Sequence, residues 1–345
     1  MRALMAEVDA NKKLFQTVLT RFKETKVDED ELQQADARII SPAKPPDGPF
    51  YPQKKLIILA ALMVSAMFGI GIAIALELMD NGYRSLNHLE QVTGVPGLGI
   101  VPLLDKNDES LLPHEAAIRH PNSPCGESVR SIQTGLLLSN ADAPPEKIMF
   151  TSAVSAAGKS STSLSIAALS ARTGQRTIII DCDMRHPSVY VGLGVSNTLG
   201  LRNCLSGQYA LDEIIYIDLA SGAHYITAGG RTAHPTHLLS SQQMKVLLAL
   251  LSQQYDLVVI DTPPLLAVSD TLVLALQVEK TAFVVRWQKT RRETVVASLR
   301  QLIDADEDIA STVMTQVDLK KQARYGQSDS GYRYYYARHM KYYTE

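Results

Sequence analysis

The chain has 345 residues, of which 46% are hydrophobic and 20% charged, and its formal net charge is -2 at pH 7. That length leaves room for one large domain with attachments, and the near-neutral balance excludes the strongly basic surface of a nucleic-acid-binding protein. The three cysteines, Cys125, Cys182 and Cys204, form no CxxC pair, which excludes a cysteine zinc site or a disulfide framework and suits a reducing compartment.

The opening stretch MRALMAEVDANKK is polar and has no leader-type apolar region. Met1, Leu4, Val8, Asn11, Phe15, Val18 and Phe22 recur at alternating spacings of three and four, the pattern of a coiled-coil seam with one polar position. Residues 1–41 therefore read as the end of a longer coiled-coil region. Pro42, Pro45, Pro46, Pro49 and Pro52 exclude helix from 42–55 and predict an extended juxtamembrane spacer that enters the bilayer at Lys54 and Lys55.

Residues 56–76, LIILAALMVSAMFGIGIAIAL, contain Ser65 as their one polar side chain. At about 1.5 Å per residue, such a helix crosses a hydrocarbon core of roughly 30 Å, so 56–78 is predicted to span a membrane. Charge bias is in conflict with chemistry over its orientation. Arg38, Lys44, Lys54 and Lys55 precede the span and Arg84 follows it, which favours a cytoplasmic N-terminal side. A nucleotide-dependent domain after the span needs the ATP pool, and on that ground the C-terminal side is placed in the cytoplasm. Residues 79–145 are expected to form a linker with an oligomerisation helix.

From 146 to 318 apolar strands alternate with amphipathic helices, which predicts an α/β fold, a parallel sheet covered by helices on both faces. The first strand, KIMFTS, leads into AVSAAGKSSTS, where Gly158, Lys159, Ser160 and Ser161 open a helix. Backbone N–H groups at such a junction surround phosphate oxygens; Lys159 would neutralise the outer phosphates and the Ser160 hydroxyl would ligate magnesium. A full GxxxxGK[ST] loop needs glycine at 153, where this chain has Ala153. Two later strands strengthen the case, since RTIIIDCDMRHP ends in Asp181, Asp183 and Arg185, and YDLVVIDTPP ends in Asp261. Ligands of open parallel sheets bind beyond the carboxyl ends of the strands, so these carboxylates should converge on the phosphate loop. Each Asp alone is equally a cap for the next helix.

GKS, then DxDxR, then IDTPP, in the order found here, resembles the bacterial tyrosine kinases (BY-kinases) fused to polysaccharide co-polymerases. ARIISPAKPPDGPFYPQKK, the span, GVPGLGIVP, ESVRSIQTGLLLS and DCDMRHPSVYVGLGVSNTLGLRNCLSG stand in the family's order too. The resemblance implies a membrane-bound ATP- and Mg2+-dependent tyrosine autokinase of the bacterial inner membrane, regulating the polymerisation, chain length and export of an exopolysaccharide or capsule. It implies that Lys159 and Ser160 are the Walker A pair, Asp181 and Asp183 the Walker A′ acids and Asp261 the Walker B acid, with Arg185 completing DxDxR. Ser160, Asp181 and Asp261 would hold Mg2+, and Asp183 is favoured over Asp181 as the base that takes the phenol proton. In the family a chain-length-determinant domain precedes the span, so this sequence is expected to be a truncated copy, a mis-assigned start or a fragment.

The tail, 319–345, carries Tyr325, Tyr332, Tyr334, Tyr335, Tyr336, Tyr342 and Tyr343, half of the chain's 14 tyrosines. In the family such a cluster enters a neighbouring subunit's site in a ring, so these are the expected phosphoacceptors. Glu127, Arg130 and Gln133 stand at the ring-forming ExxRxxR motif, with Gln in the last place. Expected partners are a second copy of the chain, the polysaccharide polymerase and export machinery, a tyrosine phosphatase and membrane lipid, with no nucleic acid.

Other departures from the family are Ser155, Ala156 and Ala157 in the loop, which add Cβ atoms near the phosphates, and Thr315, where relatives carry an asparagine suited to adenine. His234 replaces an asparagine and, with His237, lacks a third ligand for a metal. Two other readings stay open: a co-polymerase scaffold whose nucleotide domain hardly turns over, and a partitioning-type ATPase, disfavoured because Val154 stands where that group's extra lysine falls. No HRD or DFG motif supports eukaryotic-type kinase chemistry.

Overall fold

The computed structural model describes residues 2–33, 51–79, 81–104, 112–140, 143–305 and 308–325. The chain divides into two units, 1–72 and 73–345. In the first, α1 (Arg2–Gln33) carries the seam residues Val8, Phe15, Val18 and Phe22 exposed to solvent. Helix α2 (Lys54–Met79) starts two residues before the apolar run, and its portion Lys54–Ala75 is long and apolar enough to cross a membrane. Most of the proline-rich spacer lies outside the described residues.

The second unit begins with α3 (Leu86–Thr93), β1 (Gly97–Pro102), α4 (Pro113–Arg119) and α5 (Pro124–Leu137). The phosphate-loop portion follows as β2 (Lys147–Ser152), α6 (Lys159–Arg172), β3 (Thr177–Asp181), α7 (Val189–Leu193) and α8 (Leu201–Leu205). Next come β4 (Tyr216–Ile217), β5 (His224–Ile226), α9 (Pro235–Leu239), α10 (Gln242–Gln254), β6 (Leu257–Asp261) and α11 (Asp270–Ala275). The last elements are β7 (Lys280–Arg286), α12 (Arg292–Asp304), β8 (Ile309–Val317) and α13 (Leu319–Tyr325).

All eight strands join one sheet in the order β1-β8-β7-β2-β6-β3-β5-β4, parallel except for the β4–β5 pair. The central strands are apolar on both faces, because alternate side chains of a strand point to opposite sides and helices cover both. Met149, Ile178, Ile180, Val258 and Ile260 enter one core with α3, α10 and α12. Ile148, Phe150, Ile179, Leu257 and Val259 enter the other with α5 and α6. Ser123 and Ser241 start α5 and α10 by accepting the amides of Gly126 and Met244.

One expectation needs correction. Residues 81–102 are not a linker ahead of the domain: β1 is an edge strand paired with β8, and Tyr83, Leu86, Leu89 and Ile100 lie in the same core as Met149. The sheet thus starts some fifty residues before the phosphate-loop strand, hidden in the sequence because β1, GLGIVP, is short and glycine-rich. The chain that follows the span is fixed to this unit from the outset. Gln288 N donates to Tyr83 O at 3.0 Å, Trp287 Nε1 to Arg84 O at 3.0 Å and Arg292 N to Asn81 O at 2.8 Å. At Gly82 a Cβ would meet the Gln288 backbone at 2.6 Å, so this approach requires glycine.

Candidate active site

Three adjacent strands, β2, β6 and β3, end at one place, and their register decides what meets there. Phe150 pairs with Asp261, and Asp181 pairs with Asp261 across the next gap. Neighbouring strands are about 4.8 Å apart, so the two carboxylates emerge side by side with the loop after Ser152 directly beside them. In the loop Gly158 has φ +87° and Lys159 is the first residue of α6, so the helix N-terminus faces the same place.

The side chains converge as the motifs predict. Lys159 is 7% exposed, and its Nζ lies 3.4 Å from Asp183 Oδ2, 3.4 Å from Asp261 Oδ2 and 3.2 Å from Ser160 Oγ. The Ser160 hydroxyl donates to Asp261 Oδ2 at 2.5 Å and accepts from Ser188 Oγ at 2.7 Å. Asp261 Oδ1 is buried and has no hydrogen-bond partner. Ser161 stands one residue further along α6, half-buried.

The two acids after β3 differ in role. Asp181 accepts three backbone amides, from Asp183, Ser188 and Val189, each at 3.1 Å, so it shapes the turn into α7 as a cap would. Asp183 accepts the His186 amide at 2.9 Å through Oδ1 and turns Oδ2 to Lys159. Electrostatics follow from burial. Desolvation first, then the Asp261 charge, pushes Asp181 up to about 8, against the pull of Lys159. Asp261 is also raised, by burial, against Lys159 and Ser160. Burial works against charge on Lys159, but Asp261, Asp183 and Asp181 outweigh it and hold the ammonium above its usual range.

Thr315 and two residues that motif reading passed over, Gln316 and Arg286, support the phosphate loop. Thr315 Oγ1 donates to Ala157 O, Gln316 Nε2 to Ala156 O at 3.2 Å and Arg286 Nη1 to Ala156 O at 3.4 Å. Among the described residues the non-glycine positions with positive φ are Ala156, Gln288 and Gln316, two of them at this junction. Ala153, the departure from the full loop pattern, is not among them, so its backbone makes no demand for glycine.

Comparison with known proteins agrees with this geometry. Residues 2–78 match the family described as "G-rich domain on putative tyrosine kinase", and 146–284 match an AAA domain family. "Putative tyrosine-protein kinase EpsB" of Ralstonia solanacearum is 27% identical over 348 residues, 97% of this chain and 46% of that protein. The kinase domain of Escherichia coli tyrosine kinase ETK is 28% identical with a TM-score of 0.63, over 66% of this chain and 93% of that one. The VpsO kinase domain is 31% identical with a TM-score of 0.52, over 62% of this chain and 100% of that one. The chain belongs to the bacterial tyrosine-kinase family. It spans about half the length of the curated relatives it matches.

Within the bacterial tyrosine-kinase frame the structure places two residues that depart from the family pattern. Thr315, which stands where relatives carry an asparagine, is 2% exposed, and its hydroxyl holds the phosphate-loop carbonyl of Ala157. Gln133 does not extend a surface motif. It is buried, and Nε2 donates to Ser170 Oγ of α6 at 2.8 Å, whereas Glu127 and Arg130 form a half-exposed pair at 2.7 Å. The reason is helical geometry, since each step of three residues turns about 60° short of a full circle and carries the third position round to the inner face. Arg185 pairs with Asp270 of α11, an acid outside every motif. Of the bacterial tyrosine-kinase tail, Tyr325 closes α13, while Tyr332, Tyr334, Tyr335, Tyr336, Tyr342 and Tyr343 lie outside the described residues.

Proposed function

We propose that the chain is a membrane-bound, ATP-dependent tyrosine autokinase of the bacterial inner membrane, with its nucleotide domain cytoplasmic, acting in exopolysaccharide or capsule polymerisation and export. The observation that carries this reading is the convergence of Lys159, Ser160, Asp183 and Asp261 beyond three adjacent strands, in a chain whose tail is rich in tyrosine.

The donor set fits Mg2+. Asp261 Oδ1 is an orphaned buried oxygen, and Ser160 and Asp181 add hard oxygen donors. Among the described residues no group of three or more His, Cys, Asp or Glu is arranged to hold a metal alone, which suits an ion shared with nucleotide phosphates. Bound there, Mg2+ would neutralise charge on the β- and γ-phosphates.

In the transfer proposed, a tyrosine oxygen forms a bond to the γ-phosphorus, the bond to the β–γ bridging oxygen breaks, and ADP leaves with that electron pair. The phenol proton passes to Asp183, whose Oδ2 faces Lys159, while Asp181, with three amides and one lone pair of Oδ1 to spare, is left to the metal. Lys159 moves from its carboxylate partners to the phosphates, which offer it more negative charge, and the N–H groups of the loop and α6 surround the transferred group. Arginines and lysines between the tail tyrosines favour docking into a neighbour's acidic site; each phosphate, near −2, reverses that attraction. Ring assembly through Glu127 and Arg130, a counteracting phosphatase and contacts with the polymerase belong to the same reading.

Incubating the full chain in detergent with ATP and Mg2+ and probing for phosphotyrosine tests the proposal. Signal is expected from the tail and not from Lys159→Met; silence of the unaltered chain would sink it. A second reading, a scaffold with little turnover, draws on the left-handed φ of +57° at Ala156 in the phosphate loop. The same blot separates the two.

A further inference from the structure

The acidic turns after β3 and β6 are joined by an ion pair whose carboxylate is buried and whose guanidinium is partly exposed. Asp270, at the start of α11, is 0% exposed. Its carboxylate receives Arg185 twice, Nε to Oδ2 at 2.7 Å and Nη2 to Oδ1 at 3.3 Å, and the Thr236 hydroxyl donates to the same Oδ1. A fully buried carboxylate is costly unless donors surround it, and these donors come from the turn after β3 and from α9. The other side of the link is equally fixed. Thr271 Oγ1 donates to Pro263 O at 2.7 Å, and Thr151 Oγ1 of β2 to the same carbonyl at 3.2 Å, which ties α11 to the strand ends that carry the site.

What this link holds is a turn. Arg185 lies inside the short loop closed by the bond from His186 N to Asp183 Oδ1 at 2.9 Å, the bond that orients the Asp183 carboxylate. Clamping Arg185 from outside leaves that loop little freedom, because a bidentate guanidinium–carboxylate pair fixes direction as well as distance.

We infer that Asp270, with Thr236, is a positioning residue for phosphoryl transfer: it anchors Arg185 and thereby keeps the Asp183 carboxylate against Lys159. Asp270 itself is 0% exposed, so it acts through Arg185. The inference rests on the reading of Asp183 as the proton acceptor given above, and its first test does not.

That first test is hydrogen–deuterium exchange on the full chain in detergent, comparing the unaltered protein with Asp270→Asn, which keeps shape and removes the charge. Exchange is expected to rise in peptides covering 182–188 and to stay unchanged in β2 and α6. Unchanged exchange in the turn, or an equal rise everywhere, overturns the inference. The second test is kinetic. Asp270→Asn is expected to lower kcat about tenfold to a hundredfold with the KM for ATP nearly constant, as small misplacements of a reacting group do. Thr236→Val should lower kcat more mildly and Thr236→Ser restore it; equal loss in both Thr236 variants, or parallel changes in kcat and KM, counts against positioning. Should the unaltered chain make no phosphotyrosine, the kinase reading fails while the exchange result still decides this one.

Discussion

Asp181 and Asp261 stand opposite each other in the register of β3 and β6, both with 0% exposure. Two buried carboxylates at that separation repel, and Lys159 offsets one charge more readily than two.

Stability should therefore depend on pH in a particular direction. Asp181 is raised from 3.8 to about 8, by burial first and Asp261 second, so the folded state binds more protons than the unfolded state between those values. Stability then falls as pH rises through that window. In magnesium-free buffer the thermal midpoint is expected to drop between about pH 6 and 8, and Asp181→Asn should flatten the slope. Added Mg2+ should also flatten it, since the ion favours the ionised form.

Lys159→Met removes the cation from the acid cluster. Phosphotyrosine formation should fall by about 10²- to 10³-fold or more, the usual effect of losing a preorganised charge at a transferring group. Magnesium-dependent binding of a fluorescent ADP analogue should weaken in the same variant.

Ala156 holds φ +57° in the phosphate loop. Ala156→Gly should be neutral or stabilising within about 1 kcal/mol, because relief of the left-handed strain and the entropy gained by the unfolded chain oppose each other. Ala156→Val, β-branched at that conformation, should instead lower nucleotide affinity markedly while the sheet stays folded by circular dichroism.

Gln133→Ala leaves the buried Ser170 hydroxyl without its donor. A loss of about 1–3 kcal/mol in unfolding free energy is expected. Sedimentation should show no change in assembly from this substitution, whereas reversing Arg130 to Glu should alter it if the half-exposed Glu127–Arg130 face is an interface.

Thr315→Val removes the hydroxyl that holds Ala157 O. Affinity should fall for ATP and GTP alike, with their ratio unchanged, because the side chain supports the loop and does not read the base. A selective change in one nucleotide would refute the assignment.

The α/β class, the membrane-length helix and the convergence of Lys159, Ser160, Asp183 and Asp261 were legible before any coordinates, because each is announced by a local pattern. The apolar run at 56–76, a strand handing over to GKS, and acids at the ends of β-branched runs each carry their meaning within a short window. What was not legible depended on distant pairing. The β1 edge strand was invisible because its partner, β8, lies some two hundred residues away. The inward turn of Gln133 needed the position of Ser170.

The sequence by itself thus determined the chemistry available: a phosphate-binding helix start, three acids, a lysine and a tail of tyrosines. Tertiary structure alone decided how those groups are divided. Asp181 is taken by three amides and Asp183 turns to Lys159, while Thr315 and Gln316 hold the loop and Asp270 holds Arg185. The physical reason is that local spacing sets which side chains emerge at a strand end, whereas sheet register and helix docking set which donor each buried oxygen meets.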